Sequence, residues 1–227
     1  MTTTTPSLTN LAEAASQAGP GSLHVAESLW KFSSGKQEPS QEPAKSCDWN
    51  RLGEATVVDI GGSSGHDSTT IAWAFPNLKF IVQGLSQLRA SFYEQVPADI
   101  KSRVEFEPHN FLQAQNTQQD VYMLKMVLHN WPDECAANVL KHLVLHLECG
   151  SRVLVEAVAP PNTAALPFET LSHMLNAADM YMLQFYNSQK RSDWTSLLVK
   201  ADEHLTLTYV SEVLRSVHQF LEVGLRA

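Results

Sequence analysis

The sequence has few cysteines, no excess of positive charge and no long apolar run. Its 227 residues include three cysteines, Cys47, Cys135 and Cys149, which form neither a paired framework nor a metal-spaced cluster. Such a set is typical of a reducing compartment, so we expect a cytoplasmic protein without a bound metal. No apolar run reaches the roughly 18–20 residues of a membrane span. Residues 1–7 also lack the basic and apolar regions of a secretory signal.

The charge balance is acidic. Lys and Arg total 16 against 24 Asp and Glu, which gives a formal charge of −8. An acidic domain repels phosphate backbones and anionic lipid headgroups. We therefore expect neither nucleic acid nor membrane as a partner, and a small molecule becomes the favoured ligand.

Composition divides the chain near residue 48. Residues 1–48 are rich in Thr, Ser, Gln, Pro and Gly and contain only two short apolar groups. This composition buries little and predicts a loosely ordered arm or linker. Residues 49–227 contain the apolar material of the core, and we expect them to form one domain.

Short apolar runs alternate with segments of helical period after Trp49. Strands that are apolar on both faces and separated by helices predict an α/β fold with a parallel, Rossmann-like sheet. Two β-leaning runs at the end, 204–210 and 216–225, predict an antiparallel hairpin at the sheet edge. The total is a seven-stranded, mostly parallel sheet. The first five strands are predicted at 55–60, 78–82, 104–107, 121–126 and 152–158, and the helices at 66–75, 85–94, 133–147, 168–185 and 193–201.

A glycine-rich turn follows the first strand. It contains Asp59, Gly61, Gly62 and Gly65 and leads directly into a helix. Small residues there let a ligand approach the backbone, and the free N–H groups of the helix start favour a carboxylate or phosphate. Such turns also occur only to pack a helix on a strand. A dinucleotide site requires Gly-x-Gly-x-x-Gly and an acid at the end of strand two, and both are absent here. Asp59 instead favours S-adenosylmethionine (SAM), which has a cationic amino-acid end.

Four motifs together resemble a known family. They are Asp-Trp at 48–49, Val-Val-Asp-Ile-Gly-Gly-Ser-Ser-Gly at 57–65, Phe-Pro-Asn-Leu-Lys-Phe at 75–80 and Leu-Lys-Met-Val-Leu-His-Asn-Trp-Pro-Asp at 124–133. From about Trp49 onward, the chain resembles the SAM-dependent O-methyltransferases of plant phenolic and fungal secondary metabolism. The resemblance implies a class I methyltransferase fold, SAM as cofactor, and transfer of its methyl group to a hydroxyl of a polyketide, terpenoid or phenolic.

The resemblance also implies roles for individual residues. His129 matches the general base and Glu156 the acid that orients it, as a carboxylate orients the histidine of a serine protease. A neutral imidazole, with a pKa near 6.5, is suited to accept the hydroxyl proton at cellular pH. The residues matched to the cofactor site are Asp59, Gly61, Gly62, Gly65, Gly84, Asn110, Phe111, Lys125 and Trp131, and those matched to the substrate side are Met182 and Asn187.

The sequence departs from the family pattern at four positions. Gly84 stands where an acid usually holds the ribose hydroxyls, so SAM is expected to bind more weakly unless Gln83 or Ser86 compensates. Asn110 replaces an acid beside the adenine, and Ser63 replaces a loop glycine. Lys190 occupies the place of a second acid beside the base, where a positive charge lowers a histidine pKa.

The family's N-terminal helical domain, which forms the dimer and covers the substrate, has no counterpart in the pattern of the first fifty residues. We therefore expect a monomer or a weak dimer. Two other functions remain open. One is a methyltransferase-fold protein that no longer methylates, either a pericyclase-like or cyclase-like relative or a non-catalytic pathway partner. The other, more distant, is a dehydrogenase.

Overall fold

The computed structural model describes residues 48–128, 131–148, 150–158, 194–210 and 218–226. Almost all of the predicted arm and the whole predicted helix at 168–185 lie outside the described residues. The described part begins with a 3₁₀ turn, Trp49–Leu52, whose tryptophan is buried. The Trp49 ring lies 6.4 Å from that of Phe75.

The seven predicted strands form one mixed sheet. Its strand order is β3-β2-β1-β4-β5-β7-β6. The first five strands pair in parallel, and β7 pairs antiparallel with both β5 and β6. The predicted fold class, including the C-terminal hairpin, is confirmed. The strands are β1 (Ala55–Ile60), β2 (Leu78–Gly84), β3 (Val104–Pro108), β4 (Val121–Lys125), β5 (Arg152–Val158), β6 (Leu205–Val210) and β7 (His218–Leu225).

Strand β2 runs two residues further than predicted, because Gln83 and Gly84 pair with Glu107 and Pro108 of β3.

Helices connect the strands at or near the predicted positions. The helix predicted at 85–94 begins instead with a 3₁₀ turn, Ser86–Leu88. The α-helices of the described segments are α1 (His66–Ala74), α2 (Arg89–Gln95), α3 (Asp133–Val144) and α4 (Trp194–Ala201).

Both faces of the sheet are covered by an apolar cluster. On one face, Leu140 of α3 and Leu197 of α4 pack against strand residues such as Tyr122. On the other face, Ile71 of α1 and Phe92 of α2 pack against a second set of strand residues. The central strands are therefore buried on both sides, which explains why they read as continuous apolar runs.

The strand order places a ligand crevice at a defined point. Strand β1 pairs with β2 on one side and with β4 on the other, so the direction of winding reverses beside it. Ligands of open parallel sheets bind at the carboxyl ends of the strands at this switch point. The glycine-rich turn and the end of β4 both lie there. None of the described helices is long and apolar enough to cross a membrane.

Candidate active site

The turn between β1 and α1 depends on glycine at two positions. Gly65 precedes α1 with a φ of +73°, a conformation that disfavours residues with a Cβ. A Cβ there would also lie 2.6 Å from Cε2 of the buried Phe92. At Gly62, a Cβ would overlap the carboxylate of Asp59 and lie 2.8 Å from Cγ1 of Val82. The turn is therefore packed directly on the core beneath it.

Asp59 supports this turn from inside the protein. Its side chain is 2% exposed, and its Oδ2 accepts a hydrogen bond of 2.6 Å from the Ser68 hydroxyl of α1. Burial raises the pKa of Asp59 to about 7, although the Ser68 hydrogen bond opposes the shift and Asp67 adds to it. Burial thus favours the protonated form of this carboxyl group, and its hydrogen bond with Ser68 ties β1 to the first turns of α1.

Within the described segments, two residues other than glycine have positive φ angles, and both lie beside the crevice. Ser63 in the turn has a φ of +53°, and Met126 directly after β4 has a φ of +55°. A glycine at position 63 would adopt this backbone without strain, which accounts for the family preference that Ser63 departs from. Met126 redirects the chain after β4 while its N–H donates to the Glu156 carbonyl at 2.9 Å.

An ionic cluster lies where β4, β5 and α1 meet. The Lys125 Nζ donates to Oδ1 of Asp67 at 2.7 Å and lies 3.7 Å from Oε2 of Glu156. Lys125 and Glu156 are register partners in β4 and β5, whereas Asp67 belongs to the first turn of α1. Burial alone lowers the pKa of Lys125, but the two carboxylates outweigh it and raise that pKa above its usual value. Lys125 therefore remains charged.

An apolar wall borders the other part of the turn. The rings of Phe111 and Trp131 meet edge to face with centroids 5.7 Å apart. A Cβ added at Gly61 would lie 3.1 Å from Val127 and 3.6 Å from the Phe111 ring. Phe111 thus lies between Gly61 and Trp131 and is close to both. All three residues were predicted for the cofactor site.

The end of β2 shows what surrounds Gly84. A Cβ at this position would lie 3.4 Å from the Phe106 ring and 3.6 Å from Leu88, which is ordinary contact. The neighbouring Gln83 is buried, and its amide exchanges two hydrogen bonds of 2.9 Å with Gln115. It also donates to Glu107 at 2.7 Å. Gln83 is therefore committed to the protein interior, and of the two side chains expected to compensate for the missing acid, Ser86 is the exposed one.

Asn110 lies next to the Gly84 strand end. The His109 N–H donates to the Gly84 carbonyl at 2.9 Å. The Asn110 Oδ1 accepts from the N–H of Leu112 at 3.0 Å, so this side chain shapes the turn that carries Phe111. The substitution of the expected acid by Asn110 thus preserves a hydrogen-bonding residue at a structural turn.

The remaining predicted residues divide into two groups. Glu156 is 5% exposed and belongs to the ionic cluster. His129, Met182, Asn187 and Lys190 lie outside the described residues.

Sequence reasoning missed Asp67 and Ser68. Both contact predicted site residues, Asp67 through Lys125 and Ser68 through Asp59. An acid in the first turn of a helix usually complements the helix dipole, so its type alone is uninformative. The available signal was position, because both residues lie within one turn of the last loop glycine.

The arrangement offers two kinds of contact to one ligand. The wall beside Gly61 suits a planar ring, and the ionic cluster beside α1 suits charged groups. Backbone N–H groups at the start of α1 add donors for an anion. These features fit an elongated ligand that has an aromatic ring and an ionic end.

Comparison with known proteins gives a consistent result. A family model described as an O-methyltransferase domain matches residues 40–202. The O-methyltransferase of the grayanic acid biosynthesis cluster of Cladonia grayi is 37% identical over 183 residues, which is 78% of this chain and 40% of the relative. Eight curated O-methyltransferases from fungi are 32–37% identical, and this chain spans 40–47% of their length.

Solved structures share the fold. An O-methyltransferase (NcsB1) from neocarzinostatin biosynthesis, in complex with SAM and 2-hydroxy-5-methyl naphthoic acid, has a TM-score of 0.66 at 22% identity, covering 80% of this chain and 51% of its own. A structure described as a pericyclic reaction enzyme has a TM-score of 0.65 at 24% identity, covering 82% and 46%. At these identities the two structures support the fold alone. With the family model matching most of the chain, the prediction of the family is confirmed: this chain belongs to the O-methyltransferase domain family.

Proposed function

We propose that residues 49–227 form an O-methyltransferase domain that moves the methyl group of SAM to a hydroxyl of a small secondary metabolite. The observation that carries this proposal is the ionic cluster of Lys125, Asp67 and Glu156 beside the glycine turn. Lys125 and Glu156 lie near the carboxyl ends of β4 and β5, at the switch point where open sheets bind ligands. Lys125 precedes position 129 by four residues. Membership of the O-methyltransferase domain family supports the same reaction.

The residues present fit SAM. The backbone of the glycine turn and the start of α1 suit its amino-acid end, and Phe111 and Trp131 suit its adenine ring. Lys125 beside the turn is charged and is paired with the Asp67 carboxylate. A structural neighbour solved with SAM supports the same cofactor. When bound, SAM supplies an activated methyl group on a sulfonium.

The chain's own residues move the proton. In this mechanism, the neutral imidazole of His129 accepts the proton of the substrate hydroxyl as the oxygen attacks. Glu156, buried at the end of β5, compensates the positive charge that the imidazole gains. Holding the two reactants in contact supplies the larger part of the acceleration.

An aromatic hydroxyl is the favoured acceptor. The NcsB1 neighbour was solved with a hydroxylated naphthoic acid, and the Cladonia relative belongs by its name to the grayanic acid biosynthesis cluster. This chain covers 51% of NcsB1 and 40% of the Cladonia relative, so the acceptor is proposed from about half or less of each protein.

The test measures cofactor binding and turnover separately. Calorimetry with SAM is followed by detection of S-adenosylhomocysteine (SAH) during incubation with a panel of naphthols and phenols. We expect His129→Ala to retain SAM binding and to lose about 10²–10⁴-fold in turnover. His204→Ala is the matched control, because His204 is exposed, pairs with Asp202 and lies far along the chain from position 129. Undiminished turnover in His129→Ala contradicts the assignment of the base.

A second function is supported by two observations. Position 84 is a glycine in place of the acidic residue expected to hold the cofactor ribose, and one structural neighbour is described as a pericyclic reaction enzyme. A methyltransferase-fold protein without methyl transfer accounts for both. It predicts that no SAH forms with any acceptor, whether or not SAM binds, while substrate is rearranged or passed to another enzyme.

A further inference from the structure

Asp67 differs from the other carboxylates of the site in its partner. It accepts a direct hydrogen bond of 2.7 Å from Lys125, while Glu156 lies 3.7 Å from the same ammonium group. Glu156 also takes part in a further interaction. Among the described residues, Asp59 is a third acid that acts on Lys125, but its carboxylate accepts its hydrogen bond from Ser68. Asp67 is therefore the principal counter-ion of Lys125.

The pair is only partly screened by solvent. The side chains of Lys125 and Asp67 are 16% and 23% exposed, and that of Glu156 is 6% exposed. Charges at such positions interact more strongly than at a protein surface, since fewer water molecules lie between them. Loss of the Asp67 charge would leave Lys125 with a positive charge that Glu156 balances only from a longer distance.

That charge matters for the cofactor that the proposed function requires. SAM carries a positive sulfonium, whereas its product SAH carries a neutral thioether, and the two molecules are otherwise alike apart from the methyl group. With the Asp67 charge removed, Lys125 would be balanced less closely, by Glu156 at 3.7 Å, and would therefore oppose SAM more than SAH. The difference between the two affinities reports on the charge of the site.

We propose that Asp67 neutralises Lys125 so that the site accepts the cationic sulfonium cofactor, which makes Asp67 a positioning and specificity residue for SAM over SAH. The inference rests on the proposed use of SAM. It does not depend on the acceptor or on methyl transfer. No sequence motif assigns this role, because Asp67 lies 58 residues before Lys125.

The experiment compares SAM and SAH dissociation constants by calorimetry for the whole chain and its variants. Asp67→Asn is expected to weaken SAM relative to SAH on the order of fivefold. Asp67→Glu, which keeps the charge, is expected to restore the wild-type ratio. The double variant Asp67→Asn/Lys125→Met removes both charges and is also expected to restore the ratio, even where both affinities fall.

The ratio is insensitive to partial misfolding. A misfolded fraction lowers the number of binding sites and leaves both dissociation constants of the folded molecules unchanged. Asp99→Asn is the matched control, because Asp99 accepts a hydrogen bond from Trp73 on the exposed surface. It is expected to leave the ratio unchanged.

The outcomes separate this inference from the proposed function. An unchanged SAM-to-SAH ratio in Asp67→Asn, or a ratio that the double variant fails to restore, overturns the role of Asp67. A wild-type chain that binds neither molecule overturns both the inference and the proposed cofactor. A wild-type chain that binds both molecules and forms no SAH refutes methyl transfer alone, and the comparison of ratios stands.

Discussion

Replacing Gly62 by alanine tests whether the glycine-rich turn between β1 and α1 is packed on the core as tightly as the structure indicates. The added Cβ would overlap the Asp59 carboxylate and lie 2.8 Å from Cγ1 of Val82. Neither neighbour has room to retreat, since Asp59 is 2% exposed and Val82 is fully buried. The substitution therefore forces either the turn or the core to move.

The cost follows from these contacts. Overpacking of a well-packed site costs about 1–3 kcal/mol. If Asp59 rotates away, its hydrogen bond with Ser68 is lost in a buried site, which costs about 1–3 kcal/mol more. We expect Gly62→Ala to reduce the free energy of unfolding by about 2–6 kcal/mol. With a urea dependence of about 2 kcal/mol per M, the unfolding midpoint falls by roughly 1–3 M.

Gly84→Ala is the matched control. It lies at the end of the neighbouring strand, and its Cβ would make ordinary contact with the Phe106 ring at 3.4 Å. We expect its unfolding midpoint in urea to correspond to a change within about 1 kcal/mol. Equal midpoints for Gly62→Ala and Gly84→Ala would refute the reasoning, because the contact with Asp59 would then carry no cost.

Three further predictions concern charge and strain. Burial raises the pKa of Asp59 to about 7 in the folded state. Between about pH 4 and 7, the folded state therefore binds more protons than the unfolded state. The free energy of unfolding falls as pH rises through that window. Asp59→Asn removes this loss, and its stability relative to wild type should rise by up to about 4 kcal/mol from pH 4 to pH 8 in urea titrations; a constant difference would contradict the raised pKa. Gly84→Asp should tighten SAM about tenfold in calorimetry if the new carboxylate accepts the ribose hydroxyls, as one charge-assisted hydrogen bond contributes about 1.5–3 kcal/mol. Gly84→Ala is again the control, and unchanged affinity means that the ribose is held by other groups. Ser63→Gly should raise the thermal midpoint, corresponding to about 1 kcal/mol, because the φ of Ser63 is +53°; a lower midpoint would show that the serine side chain stabilises the turn.

The strands were predictable where their pattern is local. The predicted bounds of β1 and β5 agree with the structure residue for residue. Residues 57–60 of β1 and 153–156 of β5 are buried, as expected of runs that are mostly apolar. The end of β2 was predicted two residues short, because Gln83 and Gly84 have weak strand preference and are held by pairing with β3.

The position of the glycine-rich turn was also predictable, but its internal contacts were not. Three glycines after a buried strand predict a tight strand-to-helix turn from sequence alone, and its use by a ligand stays a prediction. That Gly62 must be glycine because Asp59 packs beneath it depends on the fold. Likewise, Gln83 was a reasonable substitute for the missing acid until its hydrogen bonds with Gln115 and Glu107 showed it to be occupied.

The sequence by itself determined the fold class, the family and the strand ends at which we propose a site, because hydrophobic period and glycine placement act over a few residues. The tertiary structure alone decided which charges meet. Asp67 and Lys125 come from elements separated by 58 residues, and the sheet brings Lys125 beside Glu156 through strand pairing. Electrostatic contacts depend on distance and burial rather than on residue type, so the ionic state of this site follows only once the chain is folded.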